Sequence, residues 1–288
     1  MNSHIPTLLL REWMQHKRGW LITAFAPPLL FLALLPFGQL QGLPTEHLDL
    51  IALLICAISA STVYAISLAI ASFQIPGLAR RDVQDRSIEF WLSLPGRPSE
   101  SVAATLLAHL WLVPLGAMLV GGLFALPIAM AVLGLKASAG ALASVNWGEV
   151  LTYALPTLVR GLAGTLLLSL TLLPLLLPLM AASAWLKRLG VPLLLVGTGV
   201  AVAVMHKVYE ISWPVQALQW LVERGDAALL FDPRGAMDAL KAGDNPWLWL
   251  AQDFGQALMS FASPIALGWA AVAAASFWLV VRKRAHAG

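Results

Sequence analysis

Histidine, cysteine and acidic side chains are the groups that bind metals and move protons, and in this sequence they are few and scattered. His4, His16, His47, His109, His206 and His286 lie far apart, and no H-E-x-x-H sets two histidines one helical turn apart around a general base. His109 alone sits well inside a long apolar run, where it reads as a helix-packing residue. The single cysteine, Cys56, also lies in an apolar run and can form no internal disulfide. No G-x-x-x-x-G-K-[ST] stretch supplies backbone amides and a lysine to cradle phosphates, and no G-x-S-x-G elbow presents a nucleophile. The long apolar runs hold no Asp or Glu of the kind a proton-coupled carrier buries. The expectation is a chain that is not an enzyme, with no catalytic residue, no resident cofactor and no metal site.

One charged residue remains to be placed. Arg160 follows Glu149 and Tyr153 near the start of an apolar run. At mid-bilayer a lone arginine costs about 2.5–3.5 kcal/mol on insertion scales, so Arg160 should either snorkel outward or line a wet cavity and contact substrate or a gate.

The elements that carry these residues are set by composition. Of the 288 residues 59% are hydrophobic and 11% charged, too little charge to cover the surface of a water-soluble domain, so the apolar surface must face lipid. The net charge of +3 does not call for nucleic acid, because the basic residues are dispersed among loops rather than gathered on one face. Six uncharged runs approach the roughly 20 residues that cross a bilayer. They are about Trp20 to Phe37, Leu50 to Phe73, Val102 to Leu133, Leu162 to Leu186, Val191 to Met205 with its neighbours, and Leu258 to Val281. Charges precede the first run and no small-residue cleavage site follows it, so it is expected to be a retained span rather than a signal.

The basic residues set the orientation. Arg11, Lys17, Arg18, Arg80, Arg81, Arg86, Arg97, Lys187, Arg188, Arg282, Lys283 and Arg284 fall on one side of these spans, against Lys136, Lys207, Arg224, Arg234 and Lys241 on the other. By the positive-inside rule both termini are cytoplasmic, in a bacterial inner membrane. The fold class expected is an all-α polytopic membrane protein forming one transmembrane domain over residues 1–288.

Three segments are neither span nor simple connector. In residues 1–18, Ile5, Leu9 and Trp13 share a helical stripe with Arg11 and Gln15 opposite and Glu12 at its edge, which reads as an interfacial helix that turns into the bilayer at Lys17, Arg18 and Trp20. The cytoplasmic loop 74–100 is charged at first, places Ile88, Trp91 and Leu92 at helical spacing, stops at Pro95-Gly96 and restarts at Pro98-Ser99-Glu100. An exposed Phe90-Trp91 pair needs a partner or lipid to cover it. The outer segment 207–256 should hold a helix from Pro214 with Val215, Leu218 and Val222 on one face, a turn at Asp232-Pro233-Arg234-Gly235, a short helix from Ala236 to Lys241, and an aromatic anchor at Trp247 and Trp249. Pro27-Pro28, Pro114, Pro127, Pro174, Pro178 and Pro264 are expected to kink the spans.

The stretches LLLREWMQHKRGWLI and RRDVQDRSIEFWLSLPGRPSESVAATLLA, in this order of spans, resemble the elbow helix and coupling-helix region of type 2 ATP-binding-cassette (ABC) export permeases. Arg86-Ser87 stands where that family often has Gly-Thr, and Thr105-Leu106 where it often has Gly-Lys. The resemblance implies a membrane subunit paired with a second permease copy or paralogue and with a separate ABC ATPase that holds ATP and Mg. It implies that Arg81, Asp82, Asp85, Arg86, Glu89, Phe90 and Trp91 contact that ATPase, with Arg11 and Lys17 as a second contact. It also implies that spans two and five line the path. Ile51, Ile55, Val63 and Ile66, with Leu195 and Val202, would then be apolar walls for an amphipathic or lipid-linked cargo, with Arg160 beside them. The rival reading is a non-transporting scaffold subunit that binds a periplasmic partner.

Overall fold

The structure is a computed structural model that describes residues 4–38, 47–84, 97–229 and 245–286, with side chains left aside for 81–84. Among these residues every regular element is a helix. Apolar residues run around nearly the whole circumference of the long helices, as lipid-exposed spans require, because a backbone in hydrocarbon must satisfy its own hydrogen bonds. Among the described residues five stretches are long and apolar enough to cross a membrane: Ile5–Phe37, Leu48–Arg80, Pro98–Ala137, Trp147–Lys207 and Pro264–Ala285. The chain is an all-helical protein with the makeup of a multi-pass membrane protein.

Helix α1 (Ile5–Leu34) has 30 residues and runs on into a short 3-10 turn, Leu35–Phe37. It is continuous where the sequence suggested an interfacial helix followed by a turn. Lys17, Arg18 and Gly19 contain no helix breaker, and at about 1.5 Å per residue the helix outruns a hydrocarbon core of about 30 Å, so its first turns extend past the core without a bend. The face of α1 packed against the rest of the bundle is not the Ile5, Leu9 and Trp13 stripe. Trp13, Leu10 and Met14 are exposed, and Arg11 and Glu12 are buried.

Helix α2 (Leu48–Gln84) ends with Arg81 and Asp82 in its last turn. Helix α3 (Pro98–Leu106) passes through a π-helical turn, Leu107–Leu112, into α4 (Val113–Val132). A second π turn, Leu133–Ala137, and the short α5 (Ala139–Ser144) lead to α6 (Trp147–Leu186). The 40 residues of α6 form the axis of the bundle. Lys187, at φ 54° and ψ −130°, breaks it, and α7 (Gly190–Lys207) follows. The apolar run of 61 residues thus holds two helices. Of α7 only Gly190 is buried.

Between α7 and the last helix lie α8 (Trp213–Leu229) and α9 (Pro246–Met259). In α8 the buried positions are Pro214, Leu221 and Ala228, whereas Val222, which spacing places on one face with Val215 and Leu218, is exposed. The contact with α6 selects that register. The turn at 232–235 and the short helix at 236–241 lie outside the described residues. Trp247 is part of α9, capped by Asn245, whose side chain accepts from the Trp247 amide at 2.9 Å. Helix α10 (Pro264–Ala285) is separate from α9. Pro264 therefore opens a helix rather than kinking one, and Ser263 caps it by accepting from the Ala266 amide at 3.3 Å.

Two apolar clusters fasten the ends of the bundle. At one end Ile75, Val102, Leu106, Leu176, Met180 and Val280 join α2, α3, α6 and α10. At the other Ala52, Cys56, Ala129, Leu133 and Val150 join α2, α4 and α6. Gly121 makes a close crossing, since a Cβ there would lie 2.9 Å from the Ala60 Cα on α2.

Candidate functional site

Helices α2, α4 and α6 diverge around a cavity of about 760 Å³. Its α2 wall is built from small residues at helical spacing, among them Ala57, Ala60, Ser61, Ala65 and Ala69. Met118, Gly122 and Leu126 of α4 and Leu155, Leu158 and Gly161 of α6 supply the rest, with Leu229 at the end of α8. Small side chains along one face of a helix leave volume that large ones would fill. The lining is apolar with a few hydroxyls, a surface that suits a hydrocarbon chain with a weakly polar group. Ser61, Thr62, Leu151 and Leu155 are exposed, so the cavity opens sideways from the bundle.

Arg160 is the charged residue of the lining, and each of its three guanidinium nitrogens donates a hydrogen bond. Nε donates to Asp253 Oδ2 at 2.7 Å, Nη1 to the Ala228 carbonyl at 2.7 Å and Nη2 to the Ala227 carbonyl at 3.0 Å. The guanidinium carbon also stands 5.3 Å from the centre of the Phe254 ring. Ala227 and Ala228 belong to the last turn of α8, whose carbonyls have no intrahelical donor and carry the negative end of the helix dipole. A buried arginine meets both needs, and Asp253 of α9 balances the remaining charge. Arg160 thus does not snorkel. It pins α8 and α9 onto α6, and Gly164 permits the approach, because a Cβ there would overlap the Ala228 oxygen.

The other residues expected to line a path are dispersed. Ile51 and Ile55 pack into the cluster around Ala52 and Ala129, and Val63 is buried with Ala24 and Ala117 against α1 and α4. Ile66 and Leu195 are exposed and Val202 is half-buried. None of these lines the cavity, which uses the adjacent face of α2. Of the residues expected to contact an ATPase, Lys17 is exposed but Arg11 is buried against Glu12. Arg81 and Asp82 end α2, while Asp85, Arg86, Glu89, Phe90 and Trp91 lie outside the described residues.

The structure also gathers residues that sequence spacing kept apart. Glu12 is fully buried, bonded to Arg11 on its own helix and 3.0 Å from the Thr105 hydroxyl of α3. Its Oε2 stands 3.7 Å from His16 Nε2 and 3.6 Å from His109 Nε2. His109 lies within the π turn and is fully buried. Trp20 closes the cluster, with its ring 5.3 Å from that of His109 and 5.5 Å from that of His16. Only the i, i+4 spacing of Glu12 and His16 on one helix was a sequence signal, and it was too common to single out.

What fold and site define together is the class: an all-helical membrane bundle with an apolar side cavity. No family model, curated protein or solved structure matches the chain.

Proposed function

We propose that the chain is the transmembrane permease subunit of an ABC transporter, exporting an amphipathic or lipid-linked substrate with ATP hydrolysed on a separate nucleotide-binding subunit. The observation that carries this reading is the cavity of about 760 Å³, apolar, open sideways and walled by α2. A cargo with a hydrocarbon chain can enter such a space from the bilayer without first being dissolved in water. The elbow-like and coupling-like stretches of the sequence supply the link to an ATPase. In this reading α6 and α7 cross separately, for six spans, because α7 alone covers about 27 Å at 1.5 Å per residue. The basic residues Arg18, Arg80, Arg97, Lys187 and Arg282 then face the cytoplasm of a bacterial inner membrane. A second copy or paralogue would close the open side of the cavity.

The test is a gentle detergent purification of the tagged chain from its native membrane, with partners identified and vanadate-sensitive ATP hydrolysis assayed. Co-purification of a subunit with a phosphate-binding loop is expected, with activity lost in Arg81→Glu and Asp85→Lys. Recovery of this chain alone or with a periplasmic protein, with no ATPase under any mild detergent, would replace the permease reading with that of a scaffold.

A further inference from the structure

Glu12, His16 and His109 each present one ligand atom, and the three atoms lie within 4.8 Å of one another. The two glutamate-to-imidazole separations, 3.7 and 3.6 Å, exceed an ordinary N–H···O bond of about 2.7–3.2 Å. They are close to the edge of a coordination tetrahedron, about 3.4 Å for bonds of about 2.0–2.1 Å. Those two edges close by a few tenths of an ångström, and the edge between the two imidazoles, within 4.8 Å, closes by side-chain rotation. We infer that these three residues bind one first-row divalent transition ion, with Zn²⁺ the ion that best fits two imidazoles and a carboxylate.

The surroundings have the features of such a site. Arg11 and Thr105 both approach Glu12 Oε1, which turns Oε2 toward the two imidazoles. That is how outer partners orient a ligating carboxylate. His109 is fully buried, and neither of its ring nitrogens makes a hydrogen bond among the described residues. A buried imidazole lacking such a bond is costly unless something binds it. The π turn sets the register of His109 on the α3–α4 rod, and single π turns recur at functional sites. Glu12 and His16 sit on one helix and His109 on the facing rod, so the three ligands come from two elements of the bundle, as metal sites in helix bundles do. The His16 side chain is 23% exposed, which leaves an entry route and a place for a water as fourth ligand. Imidazole and carboxylate donors favour zinc-like ions over calcium or magnesium.

The inference does not depend on the permease reading, and its test uses the metal alone. The full-length chain, in detergent and freed of any affinity tag, is dialysed against buffered Zn²⁺ and its metal content measured. Co²⁺ is then added as a spectroscopic probe. One ion per chain and a tetrahedral Co²⁺ absorption band are expected. Both should disappear in His16→Gln and in His109→Gln, and persist in His206→Gln, whose histidine is exposed on α7. Thr105→Val should weaken binding roughly 10-fold by loosening Glu12. Circular dichroism and gel filtration establish that each variant is folded, and the partly exposed His16→Gln serves if His109→Gln is not. Absence of bound ion in the wild type, or retention of it in folded His16→Gln, would reduce the cluster to a polar contact between α1 and α3.

Discussion

At the scale of single residues, the buried charges do the organising. Arg160 lies in an apolar bundle yet meets Asp253 and two helix-end carbonyls. Replacing it with methionine would leave Asp253 and those carbonyls without a partner, so Arg160→Met should cost about 3–5 kcal/mol, measured by unfolding in mixed micelles of increasing SDS content. Asp253→Asn keeps a hydrogen bond to the arginine and should lose less. Arg160 stood out in the sequence because a charge in an apolar run is rare. Its partner did not, because Asp253 is 93 residues away in a segment read as outer. The same blindness hid the Glu12 cluster. Glu12 sat at the edge of a plausible amphipathic stripe, and His109 had no ligand-like neighbour in sequence, so nothing local linked them. Only the packing of α1 on α3 brings them together.

At the scale of elements, close approach decides what each helix can do. The end of α8 rests on α6 at Gly164, where even one added carbon meets the Ala228 oxygen. Gly164→Ala should therefore destabilise by about 1–3 kcal/mol and loosen α8, read as faster proteolysis of the segment after α7. Gly161→Ala, one turn earlier, is the contrast. Its added carbon meets only the flexible Met118 thioether, at 3.1 Å, and should be tolerated. Helix positions were legible in the sequence because an uncharged apolar run of bilayer length is seldom anything but a helix, and the caps at Asn245 and Ser263 follow the usual side-chain rule. Faces were less legible. Spacing puts Val222 on one face of α8 with Val215 and Leu218, but spacing alone does not say which face meets α6, and that contact turns Pro214, Leu221 and Ala228 inward instead. The π turns left no local trace at all.

At the scale of the whole molecule, one apolar helix has little packed against it. Leu193, Leu195, Val196 and Val200 of α7 are all exposed. If a second copy packs along α7, then in a Cys56→Ala background Leu195→Cys should crosslink to a dimer in native membranes. Leu123→Cys, exposed on α4, should not. Equal crosslinking at both positions, or none at either, would assign α7 to lipid. The unbroken course of α1 has a mechanical meaning. The helix touches its neighbours at Glu12 on α3, at Ala24 on α2 and α4, and, just past its end, at Leu35 on α4. Pro27 and Pro28 deprive the Thr23 and Ala24 carbonyls of their helical donors, which softens the rod at that level alone. Held at Glu12 on α3 and again at Ala24 on α2 and α4, with no break between the two contacts, the amino-terminal half of α1 cannot tilt about Ala24 without also shifting α3.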